Sequence, residues 1–137
     1  MTSRLFHRLY QEIKDAKRKI RSYRISKAFY HCPTSVYFEK IGLLMGTKHI
    51  EIGNGCRFHD YIYLTVWGEH SEQVVISIGN NCNFGAFNHI TATNHIEIGD
   101  NCLTGKWVTI SDNNHGTTDK KDLMLPPIAR KVVSNGP

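Results

Sequence analysis

The sequence predicts a mainly β fold, a solenoid of short strands stacked coil upon coil, with one helix ahead of it. Three observations carry this. The phrase "IEIGDNC" at Ile96–Cys102 appears earlier as "IEIGNGC" at Ile50–Cys56 and as "ISIGNNC" at Ile76–Cys82. From the second isoleucine of each copy, residues of apolar or moderately apolar character return every six positions: Ile52, Phe58 and Leu64; Ile78, Phe84 and Ile90; Ile98, Thr104 and Ile110. A helical period, by contrast, is confined to the first 31 residues.

A phrase that recurs in register marks a repeat architecture, in which one unit cannot cover its own apolar face and must be stacked on the next. The copies are separated by 26 and 20 residues. Both intervals read as three hexads plus an insertion, a long one in the polar segment Trp67–Val74 and a short one near Thr93–His95. Three hexads per coil imply three short strands joined by tight corners. Gly, Asn and Asp after each isoleucine supply the corners, because they tolerate unusual backbone angles. Ile52, Ile78 and Ile98 are expected to stack inside the solenoid, each burial worth roughly 1.5–3 kcal/mol. Cys56, Cys82 and Cys102 fall at the small inward position of the hexad and are expected to pack as compact apolar groups. No paired Cys-x2-Cys spacing suggests zinc.

The leader, residues 1–31, reads as a basic amphipathic helix. Leu5, Leu9, Ile13, Ala16, Ile20 and Tyr23 form one stripe, with Arg4, Arg8, Lys14, Arg18, Arg21 and Lys27 mostly off it. It holds nine Lys and Arg against Glu12 and Asp15, a net of +7, while residues 32–137 carry a net of −2. The stripe is expected to pack on the body or on a neighbouring subunit. The alternative is that it lies on an anionic membrane surface. A mildly acidic body argues against nucleic acid as partner. No apolar run approaches the roughly 18 residues that span a bilayer, and the basic N-terminus lacks a signal-peptide core. A cytoplasmic location is the expectation, peripheral at the inner face of the membrane if the leader binds lipid.

The hexads "IGNGCR", "IGNNCN" and "IGDNCL" resemble, position by position, those of the hexapeptide-repeat O-acetyltransferases of the sugar and surface-polysaccharide type. The resemblance covers about residues 41–137. It implies a left-handed parallel β-helix; spacing alone leaves the hand open. It also implies acetyl transfer from acetyl-CoA, as co-substrate, to a sugar hydroxyl in lipopolysaccharide, capsule or exopolysaccharide synthesis, by a homotrimer with active sites between subunits.

In that reading His115, in "SDNNHG" beyond the third coil, is the general base. Histidine suits the task because its ordinary pKa lies near working pH. Asp112 would orient the imidazole, bind the acceptor or cap a corner. Asn88 stands about one coil earlier, where relatives place acceptor-binding groups, although some have Asn two positions sooner, where this chain has Ala86. Trp107 would wall the acceptor site or merely cover the coil. The donor-binding residues are not assigned, and no metal is expected.

"LPPIARKVVSNGP", from Leu125, resembles the segment that in this family leads into further coils holding most CoA contacts. The chain is therefore expected to be a C-terminally truncated member, which leaves its own activity open. Two other readings stand beside it. One is a non-catalytic remnant or assembly module. The other is a zinc-dependent, carbonic-anhydrase-like β-helix, for which His89, His95 and His115 have gaps of six and twenty, in the opposite order to that family's ligands.

Overall fold

The computed structural model describes residues 2–70 and 73–134. Met1, Ser71 and Glu72 of the long insertion, and Asn135–Pro137 lie outside the described residues. The fold is mainly β, with one long N-terminal helix, α1 (Thr2–Ser26). Among the described residues no helix is long and apolar enough to cross a membrane.

The chain then visits three parallel sheets in rotation. A first coil contributes β1 (Tyr37–Phe38), β2 (Ile41–Met45) and β3 (Ile50–Ile52). A second contributes β4 (Arg57–Phe58), β5 (Ile62–Val66) and β6 (Ile76–Ile78), and a third β7 (Asn83–Phe84), β8 (His89–Ala92) and β9 (Ile96–Ile98). Leu103 then bridges to Asn83, and β10 (Thr109–Ser111) adds to the middle sheet. The sheets run β1-β4-β7, β2-β5-β8-β10 and β3-β6-β9. Every pairing within them is parallel.

The register is the one the repeat demands. Ile52 pairs with Ile78 and Ile78 with Ile98; Phe58 pairs with Phe84; Leu64 pairs with Ile90 and Ile90 with Ile110. These side chains are buried, except that Ile110 is only partly covered. Phe29, Phe38, Phe58 and Phe84 make one internal column, with successive centroids 5.6, 4.9 and 5.0 Å apart and rings nearly parallel. Residues 67–70 and 73–74 lie outside the stacked strands, between β5 and β6, as the longer interval requires.

The corners hold the coils at stacking distance. Gly55, Asn81 and Asn101 occupy equivalent left-handed positions. Beside them Asn80 Oδ1 accepts from the Asn54 backbone N–H at 2.9 Å, and Asp100 Oδ1 from that of Asn80 at 2.6 Å. Gly79 is needed for closeness: a Cβ there would stand 2.7 Å from the backbone of Gly99 and Asp100 in the next coil. The Cys56 and Cys82 thiols donate to the carbonyls of Gly79 and Gly99 at 3.0 and 3.1 Å. Burial pushes the Cys56 thiol up to about 11 and that of Cys32 up to about 12. Both are therefore protonated, poor nucleophiles at neutral pH.

Two expectations are corrected. Cys102 is exposed, because it sits in the last coil and no further coil covers it among the described residues. The apolar stripe of α1 does not pack on the body. The helix docks by another side: Ser22 Oγ accepts from the Phe38 N–H at 2.9 Å, Arg21 donates to the Phe38 carbonyl at 3.1 Å, and Arg18 pairs with Glu39 at 3.0 Å. Ser22 and Ser26 are buried, whereas Leu5, Leu9, Ile13, Ile20 and Tyr23 are exposed. A strand edge offers unpaired polar groups, and these prefer hydroxyl and guanidinium partners to an aliphatic stripe.

Close approach makes a paired prediction. Gly79→Ala lowers stability by about 1–3 kcal/mol, since backbone in the next coil must shift. Gly99→Ala, where an added Cβ meets nothing within 4 Å, is neutral or stabilising by up to about 1 kcal/mol. Denaturant unfolding of the two variants checks the contrast.

Candidate functional site

Three strands of the middle sheet, β5, β8 and β10, end side by side. The segments just past these strand ends build the site: Trp67 and Gly68 after β5, the turn at Thr93–His95 after β8, and Asp112 after β10. The chain next forms β11 (Asn113–His115), runs through a loop containing α2 (Lys120–Leu123), and returns as β12 (Val132–Ser134). β11 and β12 pair antiparallel, with His115 opposite Val132. A cleft of about 550 Å³ lies here, lined by Trp67, Gly68, Thr93, Asn113, His115 and Val132.

Asp112 does not line the cleft but braces two residues that do, Thr93 and Asn113. Its carboxylate accepts from the backbone N–H groups of Thr93, Asn94 and His95 at 2.9, 2.7 and 2.9 Å, and from the Asn113 side-chain amide at 3.0 Å. Burial raises the Asp112 pKa, but the hydrogen bonds from Asn113 and these three N–H groups outweigh it, and the net shift is downward. One carboxylate thus ties the turn after β8 to the root of the His115 hairpin. The far side of the loop is fixed by Asp122, which takes hydrogen bonds from the N–H and hydroxyl of Thr117. Gly116, at φ 82°, turns the chain out of β11 and donates to the Lys131 carbonyl at 2.9 Å.

His115 is exposed at the mouth, and among the described residues no protein group hydrogen-bonds its imidazole. The lining contains no cysteine or serine, and the Thr93 hydroxyl is already directed at Asp112, 3.3 Å away. The arrangement suits proton transfer to or from a bound hydroxyl better than covalent attack by the protein.

The other two predicted residues lie elsewhere, at the corner where the strands of this sheet begin. Asn88 is 1% exposed. Its amide donates to the Gly105 carbonyl at 2.8 Å and its Oδ1 accepts from the Thr104 hydroxyl at 2.6 Å. It occupies the hexad position that Cys56 and Cys82 fill at another corner, and it ties the third coil to the segment above. Trp107, 71% exposed, stacks on Phe87 at 4.1 Å, and Phe87 in turn on Tyr61 at 5.1 Å. Trp67, Thr93, Asn113 and Val132 were not anticipated as site residues. The signal for Trp67 was present in the sequence: it opens the long insertion, and loops on rigid scaffolds are where sites gather.

Among the described residues no group of three or more His, Cys, Asp or Glu is placed to hold a metal ion. His89 instead faces the Thr65 hydroxyl at 3.4 Å and meets the Tyr63 ring edge-on. No protein-family model, curated protein or solved structure matches this chain.

Asp112→Asn is expected to lower stability at pH 7 by about 1–2 kcal/mol, the modest end of the range because the site is partly solvated. The folded-state pKa of Asp112 is depressed. Its stabilisation is therefore full above the unfolded carboxylate value, about 4, and is lost as pH falls through the folded value. Thermal unfolding of both proteins across pH 2 to 7 should show the difference closing at the acidic end.

Proposed function

We propose that this chain is a left-handed parallel β-helix O-acetyltransferase that moves an acetyl group from acetyl-CoA to a sugar hydroxyl, with His115 as general base. The hexad resemblance supports the class. The observation that carries the site is that His115 is the one imidazole among the described residues that line the cleft, and imidazole is the side-chain type best suited to general-base catalysis.

In the reaction, a ring nitrogen of His115 takes the acceptor hydroxyl's proton as that oxygen attacks the thioester carbonyl. The tetrahedral intermediate collapses, the C–S bond breaks, and the imidazolium returns the proton to the departing thiolate. Trp67 and Val132 provide apolar walls that limit water at the reacting carbonyl, and the side-chain oxygens of Asn113 and Thr93, whose hydrogens are directed at Asp112, accept hydrogen bonds from the acceptor. Asp112 acts as a positioning residue, since it holds the turn and the hairpin root rather than the imidazole. Among the described residues no group hydrogen-bonds the His115 imidazole, which fits a site completed by the acceptor or by the next subunit of a trimer. The family resemblance points to an acceptor from lipopolysaccharide, capsule or exopolysaccharide synthesis.

A second reading, a non-catalytic assembly module, is favoured by the exposed Leu103 and Trp107 at the end of the stack. Two measurements separate them. Under the enzymatic reading, CoA binds with measurable heat, and His115→Ala lowers acetyl transfer to candidate sugars by about 10²–10⁴-fold with an unchanged circular dichroism spectrum. A chain that binds no CoA is a module, and full transfer by the variant removes His115 from the mechanism.

A further inference from the structure

The apolar stripe that fails to pack on the body has a definite direction. At about 100° per residue, Leu9, Ile13, Ala16 and Ile20 fall on the side of α1 opposite Arg18, Ser22 and Ser26, which dock it on β1. Leu5, Phe6, Tyr10 and Tyr23 widen the stripe, and all four are exposed. Lys17 and Arg24 border it on one side, Arg8 and Lys19 on the other. Residues 4–17 are exposed throughout.

We propose that α1 lies in the plane of an anionic lipid bilayer, its stripe in the acyl boundary and its bases among the headgroups. Charge selects this occupant. The first 31 residues carry a net of +7 and the rest of the chain −2. Each base near an anionic leaflet adds about 1 kcal/mol of attraction. A second copy of the helix would instead bring another nine bases against the first nine, with only Glu12 and Asp15 from each to offset them. Those two acids already sit beside Arg8 and Arg18, at 3.1 and 2.7 Å. A bilayer accommodates the apolar stripe and the cationic borders together, which is the geometry of an interfacial helix. This inference does not depend on the acetyl-transfer reading.

The test is co-sedimentation of the whole protein with vesicles of phosphatidylcholine alone or mixed with phosphatidylglycerol, at low and high salt, beside lipid-free sedimentation equilibrium. The expected result is binding to the anionic vesicles only, weakened by salt. Lys17→Glu/Arg24→Glu should weaken it at least about tenfold. Leu9→Glu/Ile13→Glu should also weaken it; these side chains are exposed, so the circular dichroism should not change. Equal binding to both vesicle types, binding to neither, or a lipid-free dimer abolished by Leu9→Glu/Ile13→Glu overturns the proposal.

Discussion

A single coil of this protein is one chain thick, and that constraint governs everything else. Its inward isoleucines and phenylalanines have no opposing layer, so only the coils above and below can keep them from water. Stacking therefore has to be in register, and register has to be specified at every corner. The Ile52–Ile78–Ile98 row, the Phe38–Phe58–Phe84 column and the Asn54–Asn80–Asp100 hydrogen bonds are three expressions of one repeat. Close coil spacing is what permits backbone pairing, and Gly53, Gly79 and Gly85 allow it.

The same regularity explains where the cleft lies. While the hexads persist, each strand end is covered by the next coil. Where the chain departs from them, at Trp67 and after Ser111, side chains are released from core duty and can face one another. The hairpin carrying His115 stands on such a departure, and Asp112 fastens it to the turn after β8. Rigidity below and freedom above is a favourable arrangement for a group that must meet a substrate.

Much of this was legible in the residues. The spacing of isoleucines and phenylalanines gave the strands, their stacked register and the position of the long excursion. The period of Leu5, Leu9, Ile13 and Ile20 gave the helix. Its orientation was hidden, because it depends on which polar groups satisfy the Phe38 backbone at the edge of β1. Asn88 looked like a site residue because the family resemblance places acceptor-binding groups about one coil before the histidine. Its amide satisfies the Gly105 carbonyl and Thr104 hydroxyl, a role that sequence alone does not reveal. The ring stack around Trp107 was not legible in the sequence. Tyr61, Phe87 and Trp107 all adopt positive φ, a conformation that costs a bulky residue roughly 1–2 kcal/mol and that composition would assign to Gly or Asn. Stacking of the three rings, capped by Lys40 at 5.6 Å from the Tyr61 ring, offsets part of that cost. Cys102 was misplaced because a repeat rule does not say that no coil covers it among the described residues.

The most direct test of the stacked register is the set of nuclear Overhauser contacts among isoleucine methyl groups in selectively labelled protein. Stacked coils require cross-peaks linking Ile52 to Ile78 and Ile78 to Ile98, with none between Ile52 and Ile98. Missing cross-peaks for the adjacent pairs, or isoleucine methyl shifts typical of solvent-exposed side chains, would contradict it.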